Sequence, residues 1–69
     1  MALSLKALRV NAEMSRPEVI AKLKKEKGLV LSLGTLINYE NKVTSPDIAT
    51  AKVLASFYNV AVDDVNWGL

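Results

Sequence analysis

An all-α fold of five short helices in one domain spanning residues 1–69 is what this sequence predicts, and three observations carry that expectation. Apolar residues recur at three- and four-residue intervals through several stretches, the spacing that lines up one face of an α-helix. Helix-opening side chains stand before three of them, at Ser15, Ser32 and Ser45. Residues that tolerate left-handed backbone close two, at Gly28 and Asn59.

Leu3, Leu5, Leu8 and Met14, with Ala7 and Ala12 between them, predict a first helix over roughly residues 3–12, with Lys6 and Arg9 on its outer side. Ser15-Arg16-Pro17-Glu18 opens the second. The Ser-x-x-Glu spacing lets hydroxyl and carboxylate satisfy each other's free backbone N–H groups, and Pro17 suits a first turn where a missing donor is no loss. Val19, Ile20 and Leu23 face inward, and the helix is expected to end near Lys27, with Gly28 as its left-handed stop.

Leu29-Val30-Leu31 reads as an extended link to a third helix capped by Ser32, in which Leu36 and Tyr39 form an inward pair. Asn41-Lys42-Val43-Thr44-Ser45 is a polar loop. Ser45-Pro46-Asp47 then supplies a cap, a proline at the first position and an acid in the first turn of a fourth helix. That helix is expected to bury Ile48, Ala51, Val53, Leu54, Ala55, Phe57 and Tyr58, and Asn59 ends it. A last short helix is expected over roughly Val62–Val65, and Trp67 either closes the bottom of the core or meets a partner.

Composition bounds what such a domain can do. With 69 residues it has room for one core, and with 51% hydrophobic residues it has the material to build it. The absence of Cys and His removes zinc-finger ligands, thiol nucleophiles and the usual neutral-pH general base. Glu13 with Glu18 and Asp63 with Asp64 read as caps and solvated surface. No enzyme activity, cofactor, metal or small-molecule substrate is therefore expected. The apolar runs are too short to cross a bilayer and the start of the chain lacks a signal-peptide pattern, so a cytoplasmic location without membrane contact is expected.

The net charge of +2 permits phosphate contact without demanding it. Most of the excess sits in Lys22, Lys24, Lys25 and Lys27, which fits either a solvated helix end, where cations favour the negative pole of the helix dipole, or a phosphate-binding run. The third helix poses the sharper question. Its outward positions are Leu33, Gly34, Ile37 and Asn38, followed by Asn41. Only the two asparagines offer the donors and acceptors that read base edges in a major groove.

Tyr39-Glu40, Pro46 six residues after the Glu, Ala55, Tyr58, Val60 and Val62-Asp63-Asp64-Val65 together resemble the Cro/repressor-type helix-turn-helix family of phage and bacterial regulators, also called lambda-repressor-like, over about Leu5 to Val65. The resemblance implies phosphate contacts from Ser15 and Arg16 at the start of the second helix and from Asn41, Lys42 and Thr44 beyond the third; Lys24 and Lys25 of the basic run are further candidates. Ser15 can equally serve as a cap alone and Thr44 as a plain turn residue.

Two departures from the family pattern stand out. Between Ile20-Ala21 and Tyr39-Glu40 the chain is about five residues longer than usual, which predicts a lengthened connection between helices two and three containing Lys24, Lys25 and Gly28. The second departure is the apolar outward face. It has three explanations: the connection folds back over Leu33 or Ile37, one of them meets a thymine methyl group, or the face binds protein. With this layout and length the chain is similar to the small modulator-of-repression proteins of lactococcal temperate phages.

That resemblance implies an antirepressor of the lysis–lysogeny switch in the host bacterial cell. Its partner would be the DNA-binding domain of a companion phage repressor, met through Leu33, Gly34, Ile37, Asn38, Asn41 and Val43. Operator DNA is a further possible ligand. The alternative is a Cro-like repressor that binds its operator as a homodimer, paired through the last helix and Trp67.

Overall fold

A computed structural model of the chain describes residues 3–68; Met1, Ala2 and Leu69, which the expected span of 1–69 includes, lie outside them. The order of elements is strand β1 (Leu3–Ser4), helices α1 (Leu5–Asn11), α2 (Arg16–Lys27), α3 (Leu33–Glu40) and α4 (Ile48–Phe57), a 3₁₀ turn (Val62–Asp64) and strand β2 (Val65–Asn66).

Local chemistry accounts for most of the boundaries. Ser4, Ser15, Ser32 and Asp47 each accept a hydrogen bond from the backbone N–H three residues on, satisfying a donor that the first helical turn leaves free. At Ser15 the capping box is complete, because the Glu18 carboxylate also accepts from the Ser15 N–H at 3.2 Å. Gly28 ends α2 at φ +68 and Asn59 follows α4 at φ +57, both left-handed as expected.

Five expectations need correcting. The all-α class holds for the bulk of the chain, yet the fifth helix is only a 3₁₀ turn, and Leu3 and Ser4 leave the first helix to pair in parallel with Val65 and Asn66. The cap of α4 is Asp47, not Ser45, because the Ser45 hydroxyl donates to the Trp67 carbonyl at 3.2 Å. Lys24 and Lys25 lie inside the last turn of α2, so the connection to α3 comprises only residues 28–32. Ile48 is 75% exposed. It stands three residues before Ala51 and seven before Ala55 and so shares their stripe, but as the first residue of α4 it sits at the open end of the helix, where the core no longer covers it.

The core is Leu5, Val19, Leu23, Leu36 and Leu54, so that every helix contributes at least one side chain. Met14, Ile20, Leu29, Leu31, Tyr39, Phe57, Tyr58 and Trp67 pack around it. Leu29 and Leu31 turn inward while Val30 between them points out, the alternation of an extended segment. The connection thus seals the core beneath α3. Trp67 covers another part of it, with its indole N–H donating to the Val62 carbonyl at 3.1 Å.

Candidate nucleic-acid and partner interface

The register of α3 is set by what it buries. Leu36 and Glu40, four residues apart, are buried, and Tyr39 is half-buried against the core. The opposite side is left with Leu33, 46% exposed, Gly34, Asn38 and the C-cap Asn41, with Ile37 half-buried at the border. Nothing approaches within 4 Å of where a Gly34 Cβ would be, so the backbone there is open to a partner. Since Glu40 is the only acid or base in α3 and is buried, the exposed side of this helix carries no formal charge.

Beyond α3 the chain turns sharply. Lys42 is left-handed at φ +61, and the N–H groups of Val43 and Thr44 both donate to the Asn38 carbonyl, at 2.9 and 3.5 Å. This turn projects Val43, 69% exposed, beside exposed Thr44. The alkyl stem of Lys42 lies on Gly68; a Cβ at that glycine would stand 2.6 Å from the lysine Cγ.

Of the cations, Lys24 and Lys25 are exposed at the end of α2, and the Lys27 ammonium donates to Ser56 Oγ of α4 at 3.0 Å. Ser15 sits at the other end of α2 and its hydroxyl is engaged as the cap, accepting from the Glu18 N–H at 3.3 Å. Arg16 follows it, but its Nε donates to Glu40 Oε1 at 2.9 Å. The candidates are thus distributed over both ends of α2 and the loop after α3.

Residue spacing alone did not reveal the charge cluster that joins three of the helices. Glu40 accepts from Arg9 as well as Arg16: Arg9 Nε meets Oε2 at 2.7 Å and Arg9 Nη2 meets Oε1 at 3.2 Å, while Arg9 Nη1 donates to the Met14 carbonyl at 3.0 Å. Arg9 was expected on the outer side of α1, yet its side chain is 12% exposed and points at α3. The signal was present in the sequence. Arg9 stands four residues after Leu5, and Glu40 four after Leu36, so each extends an apolar stripe into which a charge fits only if paired.

The hydrogen bonds that Arg9 donates to Glu40 raise its pKa above the ordinary value, outweighing the burial that lowers it. Tyr58, packed edge-on against Phe57 with ring centroids 5.0 Å apart, lies in the same field. Burial, and then the Glu40 charge, push its phenol up to about 12. Its hydroxyl is buried, and no group among the described residues bonds to it.

Among the described residues no His, Cys, Asp or Glu cluster could hold a metal ion, and no helix is long and apolar enough to cross a membrane. Comparison with curated proteins and with solved structures gives no match. The model of one protein family, described as helix-turn-helix, matches residues 5–65. That span takes in all four helices and the 3₁₀ turn. The chain belongs to the Cro/repressor-type helix-turn-helix family of DNA-binding transcription regulators, which is not a family of enzymes.

Proposed function

We propose that this regulator is the antirepressor of a temperate-phage lysis–lysogeny switch, acting in the host cytoplasm by engaging the DNA-binding domain of a companion repressor through the outer face of α3. The observation that carries the proposal is the exposure of Leu33 and Val43 around a half-buried Ile37 and an open Gly34. A helix that reads bases directly places donors and acceptors there, whereas buried apolar anchors supply most of the affinity in a protein interface, with polar groups such as Asn38 and Asn41 orienting it at the rim.

Calorimetric titration against the repressor's DNA-binding domain tests this. Leu33→Asp is the cleaner substitution, because Leu33 is freer than Ile37, and it should abolish binding while the circular dichroism spectrum stays that of the parent. Unchanged affinity would sink the proposal. The same surface would face a major groove, so protein and DNA should exclude each other from it; a stable ternary complex on one operator would point to co-repression instead.

The two exposed amides, Asn38 and Asn41, favour a second reading, a Cro-like repressor that binds a palindromic operator as a homodimer through the 3₁₀ turn and Trp67. In that case Ser15, Arg16, Lys24, Lys25, Lys42 and Thr44 would hold phosphates. Nanomolar, sequence-selective gel shifts by the protein alone would put this reading first.

A further inference from the structure

The two arginines of the buried cluster are held unequally. Arg9 spends Nε and Nη2 on Glu40 and Nη1 on the Met14 carbonyl. Arg16 gives Glu40 only its Nε; among the described residues no acceptor meets its Nη1 or Nη2, and its side chain is 30% exposed against 12% for Arg9. One carboxylate also faces two guanidinium groups, so the cluster keeps a net positive charge. That surplus resides on Arg16, the more exposed of the two, whose Nη1 and Nη2 meet no acceptor among the described residues.

We propose that Glu40 is a positioning residue for nucleic-acid binding: it fixes Arg16 by Nε, so that the Nη edge of the guanidinium is presented to a backbone phosphate. A guanidinium suits this double duty because its planar fork offers donors on separate edges, one for the carboxylate and one for a phosphate oxygen pair. A lysine ammonium has no second edge. Since Glu40 is the last residue of α3 and Arg16 the first of α2, the phosphate anchor is tied directly to the helix that enters the groove. The proposal rests on the chain's DNA-binding family and not on repressor binding.

The sign of one substitution separates positioning from charge. Glu40→Gln removes a negative charge, which on electrostatics alone tightens DNA binding; if Glu40 aims Arg16, it weakens it. Fluorescence anisotropy with a short mixed-sequence duplex over about 50 to 200 mM salt measures both affinity and slope, and losing one phosphate contact removes about 0.9 from the slope and about eightfold in affinity near 0.1 M salt. Arg16→Ala and Arg16→Lys should both show that loss, and a folded Glu40→Gln should follow them.

Wild-type affinity in Arg16→Lys or Arg16→Ala would overturn the proposal, as would tighter binding by a folded Glu40→Gln. If circular dichroism shows Glu40→Gln unfolded, Arg16→Lys decides: it keeps the charge but has no second edge to present while it meets Glu40, so positioning predicts the loss seen in Arg16→Ala and charge alone predicts wild-type affinity. A parent protein that binds no duplex at low salt would also refute it, while leaving the Leu33→Asp experiment untouched.

Discussion

Leu54→Ala and Ile48→Ala remove the same number of carbons from one helix, yet their consequences should differ by several kcal/mol. At about 0.8 kcal/mol per buried CH₂, the three lost carbons are equivalent to about 2.4 kcal/mol when burial is complete. Leu54 is fully buried in the core it forms with Leu5, Val19, Leu23 and Leu36, so that full value applies and the cavity left behind raises it to about 3–4 kcal/mol. Ile48 keeps only a quarter of its surface from water, which leaves about 0.6 kcal/mol, and alanine's better helix propensity returns most of it.

At typical stabilities per residue a chain of 69 residues has about 3.5–10 kcal/mol in total. Its unfolding entropy is about 0.14 kcal/mol/K, so 1 kcal/mol moves Tm by about 7 °C. Leu54→Ala should therefore melt about 20–28 °C lower, or fail to fold at room temperature, and Ile48→Ala should melt within about 4 °C of the parent. Thermal and urea melts followed by circular dichroism give both values. A loss above about 1.5 kcal/mol for Ile48→Ala, or below about 1 kcal/mol for Leu54→Ala, would refute the burial assigned to these two positions of α4.

Two further outcomes are expected. The Tyr58 phenol titrates at about 12 in the folded protein against 10.0 ordinarily, so the unfolded chain loses this proton first and stability should fall as pH rises from about 10 to 12. Tyr58→Phe, which deletes the unpartnered buried hydroxyl, should be neutral or stabilising by up to about 1 kcal/mol and should flatten that pH dependence; a clear destabilisation would reveal a hydrogen-bond partner. Gly34→Ala, in an open position inside α3, should raise stability by about 0.5–1 kcal/mol and yet weaken whatever ligand approaches the α3 backbone, so titration with that ligand and a melt should move in opposite directions.

How far the fold could be read from the sequence depended on whether the deciding contact was local. Ser15 with Glu18, Ser32, Gly28 and Asn59 act within a few residues of themselves, and each boundary falls where its chemistry puts it. Ser45 looked equivalent to these but is claimed by Trp67, some twenty positions away, and the neighbouring Asp47 takes over the cap. The β1–β2 pairing is longer-range still and leaves no mark in the periodicity of either segment. In the site, the outward positions of α3 followed from the burial of Leu36 and Tyr39, whereas Arg9–Glu40–Arg16 needed three helices to meet before its members could be matched. The buried stripe could flag Arg9 and Glu40 as in need of partners; it could not say which partners they would find.

The parallel pairing of Leu3 with Val65 and Ser4 with Asn66 has a kinetic consequence. It joins residues about 60 apart, and closing a loop of that length costs about 3.7 kcal/mol of chain entropy, which two residue pairs of strand offset poorly by themselves. The pairing is thus unsuited to start folding and well suited to finish it, after the nearer contacts among α2, α3 and α4 have already shortened the loop. Ser4 is both a strand residue and the cap of α1, so the arrival of β2 also sets the direction in which the first helix leaves the sheet. An opening that frees Val65 and Asn66 alone would thereby leave a formed helical core with its first helix unlatched.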